Sequence, residues 1–108
     1  MEKPEAMFKL LADANRLAMF IMFMDDEYCV CDIERFLRMK QANVSKHLRA
    51  FRELDLLEGR KEHKWIHYTL AKEAKKKHIA LIDYVRASQM YASMKERLRS
   101  FEKDRCIP

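Results

Sequence analysis

Apolar residues recur at steps of three and four through the first two dozen positions, a spacing that predicts two helices. Met7, Leu10 and Leu11 form one face behind Pro4, a residue suited to the first position of a helix. Asp13 has the chemistry of an N-cap for a second helix holding Leu17, Phe20, Ile21 and Met24. That stretch is apolar nearly all round, which predicts the buried core helix. Asp25-Asp26-Glu27 marks a turn, and Cys29 and Cys31 then lead into a short helix whose inward residues are Ile33, Phe36 and Leu37. Arg38-Met39-Lys40 is a brief polar connection to another helix, about Gln41 to Leu54, with Val44, Leu48 and Phe51 on one face.

Beyond Leu56-Leu57 the period changes. Residues 57–62 and 65–70 read as two strands around a turn at His63-Lys64; Trp65-Ile66-His67-Tyr68-Thr69 has the β-branched and aromatic content that strands favour. The turn lacks Gly and Asn. From Ala71 the helical period returns, and Ala80, Tyr84, Ala87, Met90, Met94, Leu98 and Phe101 predict a long last helix over about 74–103. Thirty helical residues span roughly 45 Å, more than a body of this size covers. The apolar stripe therefore needs a partner, either its own subunit or a second one. A two-fold homodimer is the simpler solution.

The fold class is mainly α with a small β-hairpin, arranged as a winged helix-turn-helix. The outward arc of the helix after the turn holds Ala42, Ser45, Lys46 and Arg49, with Asn43 at its flank and Gln41 at its start. Gln and Asn pair with adenine, Arg with guanine, and Ser and Lys hold phosphates, while Ala42 allows close approach to the groove floor. On the wing, Lys61, His63 and Lys64 reach for phosphates or the minor groove. The predicted partner is double-stranded DNA.

Composition agrees with this picture. In 108 residues, 49% are hydrophobic and 36% charged, as expected of one globular domain spanning 1–108. The net charge of +5 is uneven: residues 1–37 are net acidic and the rest net basic, which suits a polyanion. The apolar run Leu17 to Met24 is far shorter than the ~20 residues needed to cross a bilayer, so the chain reads as cytoplasmic, with no membrane role. With one Gly and no Ser/His/Asp or Cys/His order, an enzyme is not expected.

Three cysteines in a reducing compartment suggest metal or redox chemistry. Cysteines two apart diverge within a regular helix. At a helix entrance, one in the loop and one in the first turn are able to converge, and the helix N-terminus favours their thiolates. Such soft ligands select arsenite, antimonite, cadmium, lead, zinc or copper(I). Equally, two small residues can simply plug a helix start.

The stretches Phe8 through Leu17, Tyr28-Cys29-Val30-Cys31-Asp32-Ile33, Gln41 through Leu48 and Trp65 through Leu70 together resemble the ArsR/SmtB winged-helix metalloregulators, arsenic-responsive branch. Lys40 and Ala42 depart from it, standing where that family often has Ser and Pro. The resemblance implies a homodimer through the first and last helices that represses its own operon at a palindromic operator and is released by an inducer ion. It implies recognition contacts from Gln41, Ser45, Lys46 and His47, with His67-Tyr68 structural. It also implies that Cys29 and Cys31 are the thiolate sensor, with As(III) or Sb(III) as inducer ahead of Cd, Pb or Zn and no constitutive cofactor. Glu34 stands where the arsenic branch often has its third Cys, and no Cys precedes position 29. Cys106, the one remaining cysteine, is then either the third thiolate of a trigonal three-sulfur site, from the same or the other subunit, or a terminal thiol with no part in it. The alternative is a redox or sulfide switch pairing Cys106 with Cys29 or Cys31. Spaced His and acidic ligands for a terminal-helix zinc site are lacking, since His78 has no second His after it.

Overall fold

Asp13 opens the core helix as its position predicts: its backbone is extended and its carboxylate accepts the Arg16 amide at 3.0 Å. The structure, a computed structural model, describes residues 3–103. Helix α1 (Pro4–Leu11) lies ahead of this cap with Met7 and Leu10 buried, and α2 (Ala14–Asp25) follows it. Every residue from Ala18 to Met24 is buried, because α1, the wing and the last helix all pack around α2.

Helices α3 (Val30–Leu37) and α4 (Gln41–Glu53) form the helix-turn-helix. The sharp connection uses a left-handed residue, Arg38, at φ 54°. Val44, Leu48 and Phe51 of α4 face the core, and the Phe51 ring meets Phe23 of α2 edge-on at 5.8 Å. Strands β1 (Leu57–Glu62) and β2 (Trp65–Leu70) pair antiparallel from Leu57–Leu70 to Glu62–Trp65. His63 supplies the left-handed turn residue in place of Gly, at φ 57°. The single glycine, Gly59, makes room across the ladder, since a Cβ there would stand 3.1 Å from Ile66 and 3.4 Å from Tyr68. Tyr28 adds a further rung to β2, exchanging both backbone hydrogen bonds with Tyr68 at 2.9 and 2.8 Å.

The expected continuous last helix is instead three: α5 (Lys72–Lys77), α6 (Ile79–Arg86) and α7 (Gln89–Arg99). His78 leaves helical geometry, with φ −108° and ψ 27°, between α5 and α6. Ser88 makes the larger break: its backbone is extended and its hydroxyl caps α7 by accepting the Tyr91 amide at 3.1 Å. Serine competes well for such a cap and poorly for a helix interior. Helix α7 then folds back on α2, burying Met94. Asp25 fastens it, accepting from Tyr91 Oη at 2.5 Å and Arg86 at 2.7 Å, with Lys95 at 3.4 Å. Part of the apolar stripe is thus satisfied within the subunit, while Ile79 and Tyr84 stay exposed.

Two predictions follow from this packing. Phe51→Ala should lower stability to urea by about 3–5 kcal/mol, as for other buried aromatics. Burial raises the pKa of Asp25, but its bonds to Tyr91 and Arg86 outweigh that and hold it below its usual value. Asp13, held down mainly by the Arg16 amide, and Glu27, held down mainly by Arg60, shift the same way. Depressed carboxylates contribute stability above the unfolded-state pKa and lose it as pH falls through the folded value. The urea midpoint should therefore hold from pH 7 to about 5 and fall below roughly pH 4, less steeply in Asp25→Asn.

Candidate functional site

Helix α4 presents Gln41, Ala42, Asn43, Ser45, Lys46 and Arg49 to solvent, between the positions that bury Val44, Leu48 and Phe51. His47 is set apart. It is half-buried, with Nδ1 3.5 Å from the Arg16 guanidinium, and Arg16 in turn donates to the Leu10 carbonyl at 2.6 Å. Burial, helped by Arg16 and Lys46 and opposed by Asp13, holds the His47 pKa below its usual value. This imidazole joins the recognition helix to the α1–α2 corner. Across the wing, Lys61, His63 and Lys64 are all exposed. Arg60 is engaged elsewhere, hydrogen-bonded to Glu27.

Cys29, a free thiol, is the N-cap of α3 and Cys31 lies in its first turn, so one sulfur sits in the loop and the other in the helix. Cys29 is buried and Cys31 half-buried. Helix position alone favours a Cys29 thiolate, but the structure opposes it: burial pushes the thiol pKa up, and the Asp32 charge adds to this against the pull of backbone amides. The Asp32 carboxylate is fully buried. Its Oδ2 accepts the Cys29 amide at 3.0 Å and the Cys29 thiol at 3.3 Å, while Oδ1 accepts from Arg35 at 3.0 Å. His67 of β2 is also buried, and Cys29, Asp32 and His67 each bring a ligand atom within 4.8 Å of the other two. Cys31 is not a member of this cluster.

Asp32 and His67 were not legible as site residues. The Cys-x-x-Asp spacing was available as a capping-box signal, but nothing local to β2 marks His67 as buried. Cys106 lies outside the described residues. The last described residue, Lys103, nevertheless stands at this entrance. Its Nζ donates to Asp26 Oδ1 at 2.8 Å and lies over the Tyr28 ring at 5.2 Å, while the Phe101 ring packs on Phe36 of α3 at 5.1 Å.

Residues 13–58 match the family described as bacterial regulatory protein, arsR family. The chain is 42% identical over 69 residues to the arsenical resistance operon repressor of Escherichia coli (strain K12), which spans 63% of this chain and 59% of that protein. The chain thus covers less than two thirds of that relative's length. It is 33% identical over 89 residues to the transcriptional activator HlyU of Vibrio cholerae, covering 81% of this chain and 82% of HlyU. A solved HlyU structure aligns with a TM-score of 0.65 at 30% identity, over 82% of this chain and 100% of that one. A homodimeric winged helix-turn-helix DNA-binding domain from Mycobacterium bovis aligns with a TM-score of 0.63 at 27% identity, over 75% of each chain.

Burial and the raised pKa make Cys29 a slow nucleophile. In a Cys31→Ser/Cys106→Ser background its alkylation should lag that of the urea-unfolded chain, with a pH midpoint above that of a free thiol, about 8.5. A midpoint at or below the free-thiol value contradicts the arrangement.

Proposed function

Because the chain belongs to the ArsR family of winged-helix, DNA-binding transcriptional regulators, we propose that it is a homodimeric repressor released from its operator by a thiophilic ion, arsenite or antimonite foremost, bound at Cys29 and Cys31. The observation that carries this reading is the position of the two cysteines. They open α3, and the residue before them, Tyr28, is hydrogen-bonded to Tyr68 of the wing. An ion that pulls the two thiols together displaces the Tyr28–Cys29 backbone, and the wing strand is attached to that backbone.

The third sulfur in this reading is Cys106. Three residues of extended chain reach about 10 Å, and Lys103 starts that reach beside Tyr28 and Asp26. Three thiolates and no fourth suit the trigonal coordination of As(III), and softness is the filter. Each thiol proton leaves with an As–OH group as water, so arsenite binding releases no net proton and its affinity changes little with pH below the thiol pKa values.

Dimerisation uses the face that remains uncovered. Phe8 of α1 and Ile79 and Tyr84 of α6 are exposed, and Phe8 shares a groove with Pro4 and Met7 of α1 and Ala80 and Leu81 of α6. The homodimeric Mycobacterium bovis domain supports this arrangement. The two recognition helices then read Gln41, Ala42, Asn43, Ser45, Lys46 and Arg49 against half-sites of an operator in adjacent major grooves. Lys61, His63 and Lys64 hold the flanking backbone, and His47 acts as a buttress behind the helix.

Arsenite titration of the reduced protein on a fragment of its own promoter tests the proposal. Stoichiometric arsenite should weaken binding by at least about tenfold, a coupling of roughly 1.4 kcal/mol. Cys29→Ser and Cys31→Ser should still bind DNA and lose the response. DNA affinity unchanged by arsenite overturns the reading, and release only by an oxidant assigns the cysteines to redox sensing. Lys61→Ala and Lys64→Ala should each reduce the salt slope by about one, whereas Arg49→Ala should lose roughly 1–3 kcal/mol at one base position.

A further inference from the structure

The buried cluster at the α3 entrance is a different donor set from the three sulfurs just described. It has one sulfur, one carboxylate and one imidazole: Cys29 and Asp32 from the first turn of α3 and its cap, and His67 from the middle of β2. We propose that Cys29, Asp32 and His67 form a second ion site, for a borderline divalent cation of the zinc class, that pins the wing strand to the start of α3. The proposal does not rest on arsenite sensing and stands if that reading fails.

Three observations carry it. The first is spacing. Zinc bound at about 2.0–2.3 Å to tetrahedral N, O and S ligands holds those atoms roughly 3.2–3.7 Å apart. The sulfur and Oδ2 of Asp32 are already 3.3 Å apart, and no pair in the cluster exceeds 4.8 Å. Closing the imidazole in by about 1 Å completes three sides of a tetrahedron.

The second observation is charge. Cys29 and Asp32 are 2% and 0% exposed and His67 is 5% exposed. A thiolate, a carboxylate and a neutral imidazole around a dication sum to zero, whereas a thiolate beside Asp32 without the cation leaves two negative charges against the single Arg35 guanidinium. The cation takes the position of the thiol proton now shared with Oδ2: the S–H bond breaks, a sulfur–metal bond forms, and the proton leaves to solvent.

The third observation is outer support. Arg35 donates to Oδ1 of Asp32 at 3.0 Å, orienting the carboxylate so that Oδ2 faces the sulfur. Glu62 Oε1 lies 3.5 Å from His67 Nε2, a carboxylate beside the imidazole of the kind that fixes metal-bound histidines. The mixed donor set excludes As(III), which seeks sulfur, and fits the borderline cations that accept imidazole and carboxylate together. Since both sites need Cys29, occupancy by one ion excludes the other.

Cobalt(II) titration of the reduced full-length protein, read by its thiolate-to-metal absorption and followed by zinc displacement, tests the site. One cobalt per chain is expected, with zinc displacing it. His67→Gln should weaken cobalt binding by at least about tenfold while leaving arsenite affinity within twofold, and Asp32→Asn should weaken cobalt binding to a similar degree. Cys31→Ser should do the reverse. Circular dichroism and DNA affinity of the apo variants establish that they fold. X-ray absorption of the wild-type zinc complex needs no variant, and its first shell should hold one sulfur with the remainder nitrogen and oxygen. Two or more sulfurs, cobalt binding that survives His67→Gln, or no cobalt binding at all overturns the proposal. Loss of the arsenite response with this site intact overturns only the sensor reading.

Discussion

A buried carboxylate at the first turn of α3 organises the region around the cysteine pair. Asp32 accepts the Cys29 amide and thiol on one oxygen and the Arg35 guanidinium on the other, with no exposure to solvent. A charge in that position is tolerable only while it is paired, because a buried ion left without partners destabilises by several kcal/mol. The carboxylate therefore fixes the helix start, the thiol direction and the Arg35 side chain together. Arg35 carries the constraint further, donating to the Glu102 carbonyl at 2.9 Å and covering the Phe101 ring at 4.8 Å. The C-terminal end of the described chain is thereby held against the same helix that the cysteines open.

The wing is joined to this point by short bonds rather than by a long relay. Tyr28 pairs with Tyr68, and Thr69 Oγ1 lies 2.9 Å from the Asp26 carbonyl and 3.1 Å from that of Phe23. Arg60 of β1 is bonded to Glu27. Every residue from Asp25 to Tyr28 thus ties the end of α2 to either the wing or the last helices. The turn just before the cysteines is held by cationic clasps, so a displacement of that turn would be felt at the wing ribbon. The acidic character of the first 37 residues, which in the sequence looked only like the complement of a basic DNA surface, serves these clasps.

Local rules made much of the fold legible. Asp13 as a cap, the buried core helix with Phe20, Ile21 and Met24, Ile33 and Phe36 of α3, the inward face of α4 and both strands follow from periodicity and turn chemistry and are realised, while Leu17 and Leu37 are only half-buried. The terminal helix did not read correctly, because a continuous apolar stripe outweighed Ser88 in the pattern. In the folded chain the serine cap and the Asp25 bonds to Tyr91 and Arg86 turn α7 back on the body. The cysteine pair was visible as a motif, yet its electrostatics were not. A helix N-terminus argues for thiolates, and only the burial of Cys29 beside Asp32 reverses that for the resting state. His67 shows the same limit. Its structural place in the wing was expected, but nothing in β2 showed that it meets Cys29 and Asp32, since that depends on a helix start nearly forty residues earlier in the chain.

The central claim is that the cysteine entrance and the wing move as one unit. Amide hydrogen exchange on the reduced protein, with and without stoichiometric arsenite, addresses it most directly. The account predicts altered protection at the start of α3, residues 29–33, and in the same experiment at Tyr68 and Thr69 of β2. Changes confined to α3, with the β2 amides untouched, would contradict it.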